Sequence, residues 1–255
     1  MFRKVILAMF ALVLCGIAAA ETAPTVDELV SRNIAARGGI DKIKGVQTMK
    51  ISAKAIVMNG MELPMTIYVK RPAFMRVETS IQGKTMVQAF DGAEGWSINP
   101  MTGSDDPKKS GADETKTMRD NAAESLDGPL VDYKDKGIKL ESMGKEDVEG
   151  SPAYKLRITK KDGGVSYDWL DAETYLDVKT SSKTTQMGQE MQIESYSSGY
   201  KPEAGVMMPH NMEQRINGQS MMKMSLDSVA VNAPLDNSLF TFPAPKPDDK
   251  PAEKK

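Results

Sequence analysis

"TMKISAKAIVM" (Thr48–Met58), followed by Asn59-Gly60 and then "ELPMTIYVKR" (Glu62–Arg71), decides how the chain folds. In the first run Met49, Ile51, Ala53, Ala55 and Val57 alternate with Lys50, Ser52 and Lys54. A period of two belongs to a strand with one buried face. Asn-Gly accepts the positive φ angles of a two-residue hairpin, so the second run returns antiparallel with Met65, Ile67 and Val69 inward. Further along, "FMRVETSIQ" puts Met75, Val77 and Ile81 on one side, and "GKTMVQAFDG" and "GWSINP" continue the meander. Asp91-Gly92 makes a turn, Gly95 relieves crowding and Trp96 supplies buried area.

Upstream, the period is helical. Thr25 and Glu28 form a capping box, Val26, Leu29, Val30 and Ile34 share one face, and Gly38 ends the helix. Residues 1–20 read as a signal peptide: Arg3 and Lys4, an apolar core from Val5 to Ala18, and a small-residue cleavage site. The apolar run is shorter than the roughly 20 residues of a spanning helix. Leu14 before Cys15 stands where a lipidation signal needs a small residue.

Downstream, Met101 to Leu130 is polar and does not alternate, and "ADETKTMRDNAAESL" within it predicts a helix. Such a long insertion between strand runs suits a lid or crossover. Strands then resume to about Val231, for a total of about ten to twelve at hairpin spacing. Residues 243–255, proline and charge, predict a disordered tail. A two-faced sheet of this size curls or is covered on one face. The expectation is a mainly β chain with a few helices: one domain over 21–242, an open, strongly curved antiparallel half-barrel with helices over its concave face.

Composition excludes several chemistries. The single cysteine, Cys15, leaves with the signal, so the mature chain has no thiol nucleophile, disulfide or thiolate metal site. Without Arg3 and Lys4 the basic residues number 31 against 35 acidic ones, which gives no electrostatic footprint for nucleic acid. The lone histidine, His210, and the lack of phosphate-loop, nucleophile-elbow and zinc motifs argue against an enzyme, and no cofactor is expected.

"ARGGIDKIKGVQTMKISAK", "MELPMTIYVKRPAFMRVET", "VQAFDGAEGWSINP", "GPLVDYKDKG" and "YDWLDAETYLDVKT" resemble the periplasmic outer-membrane lipoprotein-sorting protein superfamily over roughly Ala35 to Phe242. The best marked blocks are Lys70-Arg71-Pro72 with Arg76, and Asp91-Gly92 with Gly95-Trp96. The resemblance implies helices closing an apolar cavity that takes acyl chains. The chain departs from the dedicated carrier in its long polar insertion, few aromatics and charged tail. For the carrier's lid-tethering arginine, Arg37 and Arg76 are the candidates.

The remaining signal is methionine: nineteen in the chain, seventeen of them beyond Met1 and Met9. Leucine and isoleucine occupy equivalent places in the pattern, so the methionines read as an adaptable apolar lining. The expected cavity wall comprises Ile51, Ala53, Val57, Met65, Ile67 and Val69 from the first hairpin. Met75, Val77, Trp96 and Ile98 follow, then Met208, Met212, Met222 and Met224. The function that follows is a periplasmic, monomeric carrier that reversibly binds a lipid or the acyl chains of a lipoprotein. It would pass cargo from inner-membrane donors to outer-membrane acceptors. Two alternatives accompany it: an envelope-stress sensor or protein-interaction module with a self-filled hollow, and a Cu(I) binder using Met208, His210 and Met212 at i, i+2, i+4.

Overall fold

Thr25 opens the first helix as its sequence dictates. Its side chain accepts from the Glu28 amide while the Glu28 carboxylate accepts from the Thr25 amide. A computed structural model describes residues 23–57, 60–186 and 188–243. The signal-peptide reading, Asn59 of the first turn and the tail beyond Pro243 lie outside these residues.

Three α-helices are described: α1 (Val26–Ala36), α2 (Ile40–Gly45) and α3 (Ala112–Glu124). The strands are β1 (Thr48–Val57), β2 (Glu62–Lys70), β3 (Phe74–Ile81), β4 (Lys84–Phe90), β5 (Gly95–Ile98) and β6 (Lys108–Lys109) in the first half. The second half holds β7 (Lys139–Val148), β8 (Ser151–Thr159), β9 (Val165–Asp171), β10 (Asp177–Gln186) and β11 (Gln189–Ser198). It continues with β12 (Lys201–Glu203), β13 (Val206–Met208), β14 (Asn211–Ile216) and β15 (Gln219–Val231). The count exceeds the expected ten to twelve because β6, β12 and β13 are only two or three residues long, too short for a period to register.

Thirteen strands form one antiparallel sheet in the order β6-β5-β4-β3-β2-β1-β15-β14-β11-β10-β9-β8-β7, with β12 and β13 as a separate hairpin. The two end strands do not pair, so the sheet is an open half-barrel. All three helices lie on one face, the hollow one. The mid-chain helix forms where the sequence predicts it, and it packs on β3, β4 and β5.

Two apolar clusters fill the hollow beneath the helices. Leu29 and Val30 of α1 pack on Tyr154, Leu156, Ile158 and Leu170, with Leu130 and Ile138 from the segment after α3. Ile43 of α2 packs on Met49, Ile51, Ala53 and Val69, together with Val131 and Val206. The β12–β13 hairpin is fixed to the end of α1, where the Met207 amide donates to the Arg37 carbonyl at 3.0 Å. Gly38 has φ +113°, and a Cβ there would sit 2.2 Å from the Gly205 carbonyl oxygen, so only glycine allows the helix and hairpin to meet.

The outer face has its own coat. After β15 the chain crosses β2 to β6 as a strap. Lys70 Nζ donates to the Leu235 carbonyl at 2.7 Å, Arg76 Nη1 to Leu239 at 3.0 Å and Trp96 Nε1 to Phe240 at 2.7 Å. Phe240 is fully buried against Phe74. On the other half, cations and rings alternate: Lys155 over Trp169, Lys179 over Trp169 and Tyr196, and Arg215 over Tyr196 at 4.1 Å.

Candidate functional site: the hollow face of the sheet

Residues directly opposite in a ladder share a face. Ile51 pairs with Ile67 and Val229, Ala53 with Met65 and Leu226, and Val57 with Met222. Met75 pairs with Val69, Val77 with Ile67, and Met212 with Met224. The register therefore brings Ile51, Ala53, Val57, Met65, Ile67, Val69, Met75, Val77, Met212, Met222 and Met224 onto the hollow face. Met208 reaches the same space from β13, packing with the α2 cluster.

Trp96 and Ile98 are elsewhere. Trp96 pairs with Ala89, which pairs with Arg76, whereas Met75 pairs with Phe90 and Phe90 with Gly95. Trp96 and Ile98 thus lie on the outer face under the strap, packed with Phe242. The expectation that they line the cavity is corrected: the turn at Asp91-Gly92 sets a register one residue away from the assumed one, and one residue reverses a strand's faces. Gly95, not Trp96, points into the hollow. A Cβ on it would lie 2.7 Å from Met118 Sδ of α3, so the bare backbone is what lets that helix approach.

Met208, His210 and Met212 do not form one face either. Pro209 and His210 separate β13 from β14, and the two strands belong to different sheets. Proline supplies no ladder donor, so the expected i, i+2, i+4 alternation is interrupted. His210 is buried and its Nε2 lies 2.9 Å from Glu203 Oε1.

The hollow is closed beneath α1 and α2 by their own side chains. Under α3 a void of about 60 Å³ remains, bounded by Met75, Val77, Phe90, Met118 and Asn121. Ligand pockets occupy about 300–1,000 Å³. A larger space of about 340 Å³ lies beside the start of α1, but Glu28, Arg32, Ser142 and Lys145 line it, so among the described residues no apolar cavity of acyl-chain size, such as the resemblance implies, stands open under the helices. On the same face Val57, Met65, Ile67, Met212, Met222 and Met224 form a half-buried apolar strip, of which Met65, Ile67 and Met224 pack against the edge of the α2 cluster.

Two groups of polar residues hold the cover in place. Arg71 follows β2 and donates from Nε to the Val46 carbonyl at 2.7 Å. Its guanidinium grips Asp127 at two points, Nη1–Oδ2 at 2.9 Å and Nη2–Oδ1 at 2.5 Å. The Arg71 hydrogen bond holds the Asp127 carboxyl below the usual carboxylate range. Arg37, one of the two candidate tethers, donates from Nη1 to the Asp127 carbonyl at 2.8 Å. Arg76, the other, serves the strap on the outer face. The sequence block Lys70-Arg71-Pro72 marked the first of these anchors without revealing Asp127, which stands 56 residues away.

The second group is acidic and was not anticipated. Asp168 and Asp177 lie side by side beneath α1. Asn33 Nδ2 donates to Asp177 Oδ2 at 3.2 Å, and the Tyr200 hydroxyl donates to the Asp177 carbonyl at 2.5 Å. Asp168 is 2% exposed, and its Oδ1 and Asn33 Oδ1 have no hydrogen-bond partner. Burial first, then the Asp177 carboxyl, push the Asp168 acid well above its ordinary value.

No family model and no curated protein matches the chain. Solved structures do. A protein from Vibrio parahaemolyticus described as an outer membrane lipoprotein-sorting protein domain superposes with a TM-score of 0.56 at 13% identity, over 84% of this chain and 94% of its own. A LolA superfamily protein from Nitrosomonas europaea gives 0.55 at 12% identity, over 86% and 98%. A DUF1329 family protein from Desulfovibrio piger gives 0.58 at 14% identity, over 85% and 97%. The open sheet with helices laid across its hollow face is thus the fold of the lipoprotein-sorting, LolA-type proteins.

Proposed function

We propose that the protein is a periplasmic carrier that binds a lipid, or the acyl chains of a lipoprotein, reversibly in its hollow for transport toward the outer membrane. The observation that carries this reading is the half-buried strip of Val57, Met65, Ile67, Met212, Met222 and Met224 on the hollow face. A strip of that kind beside a removable cover fits chains of varied shape, because methionine is flexible and polarizable. Each methylene it buries contributes about 0.8 kcal/mol. Loading requires the covering helices to move off clusters they now fill, with the Arg71–Asp127 anchor as the contact to be released. No bond in the cargo is broken.

Native purification followed by lipid extraction and mass spectrometry tests the reading. Co-purified lipid, or saturable uptake of a fluorescent phospholipid by the stripped protein, is the expected result. Absence of both overturns it. The filled hollow also favours a second reading, a sensor or protein-interaction module on the same fold, and that module would release no lipid in the same extraction.

A further inference from the structure

One row of side chains crosses the hollow face from strand to strand. Asp168 pairs with Thr180, Thr180 with Ser195, Ser195 with Gln214, Gln214 with Met222, and Met222 with Val57. The row changes chemistry at the junction of β14 and β15, polar on one side and apolar on the other. Asp177 joins the polar side.

Among the described residues of β9, β10, β11 and β14, Asp168 and Asp177 are the only charged side chains on the hollow face. Lys179, Glu194, Glu213 and Arg215 pair on the outer one. Neither aspartate has an ion-pair partner among the described residues. The nearby Arg37 guanidinium is committed to the Leu126 and Asp127 carbonyls, and Asn33 and Tyr200 complete the surroundings. Two buried acceptor oxygens, Asp168 Oδ1 and Asn33 Oδ1, stand without donors at this place.

We propose that the cargo is an amphiphile lying across the β14–β15 junction, its chain on the methionine strip and an ammonium-bearing head turned toward Asp168 and Asp177. This rests on the carrier reading above and adds the chemistry of the head. In the closed state the buried Asp168 carboxyl is held toward its protonated form by burial and by the adjacent Asp177 carboxyl. An arriving ammonium takes the proton's place, and the proton passes to solvent.

Three probes with the same twelve-carbon chain test it by titration calorimetry below their micelle concentrations: dodecylammonium, dodecanol and laurate. The expected order of affinity is dodecylammonium, dodecanol, laurate, with the first about tenfold tighter than the second. Buffers of different ionisation enthalpy should register proton release for dodecylammonium alone. Asp168→Asn with Asp177→Asn should bring dodecylammonium to the level of dodecanol. If the double variant does not fold, Asp177→Asn alone should narrow the gap. Equal affinity for the three probes in the unaltered protein, or an ammonium preference that survives the substitutions, overturns the proposal and leaves the carrier reading standing. Failure to bind any of the three overturns both.

Discussion

Arg71 and Asp127 form a two-point ion pair that ties the end of β2 to the segment following α3. Both side chains are largely buried, and the arginine also serves the Val46 and Ile43 carbonyls. Arg71→Ala should therefore cost about 2–3 kcal/mol in urea unfolding. Hydrogen exchange should accelerate from α3 to Val131 more than in β7–β11. Arg71→Lys should recover only part of the loss, because an ammonium cannot span both carboxylate oxygens.

The two kinds of aspartate predict opposite pH responses. The folded-state pKa of Asp127 is depressed, so its contribution is present above the ordinary carboxylate pKa and is lost as pH falls through the folded value. The folded-state pKa of Asp168 is raised from 3.8, so the native state holds a proton that the unfolded chain releases. Stability then declines as pH rises from 3.8 toward the folded value. Asp168→Asn should raise stability at neutral pH and flatten that decline. Asp127→Asn should lower stability at neutral pH and flatten the loss on the acid side. Unfolding curves across about pH 3 to 8 separate the two.

The strap predicts a cost far from the hollow. Phe240 is fully buried, and Phe240→Ala should destabilise by about 3–5 kcal/mol. Trp96→Phe, which removes the hydrogen bond to the Phe240 carbonyl, should cost about 1 kcal/mol beyond the lost packing. Neither change should alter lipid uptake once folding is accounted for, since both sites lie on the outer face. A selective loss of uptake in the folded variants would return Trp96 to the cavity wall.

Charge placed on the apolar strip should act in the reverse way. Met224 and Met212 face each other across β14 and β15 and are both half-buried. Met224→Glu should abolish uptake of a fluorescent phospholipid while lowering the thermal midpoint only modestly, because the new carboxylate can reach water. Met224→Leu should preserve uptake. If Met224→Glu still loads normally, the strip is not the binding surface.

The fold was legible where local chemistry and tertiary packing agree. Alternation from Met49 to Val57 appears as β1, the Thr25–Glu28 box opens α1, and Gly95 gives α3 its close approach. Register was not legible. Nothing local in "FDGAEGWSI" distinguishes a turn that sends Trp96 inward from one that sends it outward; the choice is made by Phe240, more than a hundred residues away. The acidic pair was invisible for a related reason. In "YDWLD" the polar residue at a hollow-facing position reads as a solvated one until α1 is known to lie over it. Met208 and Met212 look like neighbours on one strand by their spacing alone, whereas Pro209 and His210 between them separate β13 from β14.

The central seam of the sheet joins β1 to β15, Met49 opposite Val231 and Val57 opposite Met222. The earliest strand to be synthesised thus waits for the latest before its second edge is covered. Until then the nascent chain carries two separate partial sheets, each with an exposed greasy border, and an escort that shields β1 during that interval would govern the yield of folded protein. High separation between partners also slows the search, so this molecule should mature late and all at once when its final strand arrives.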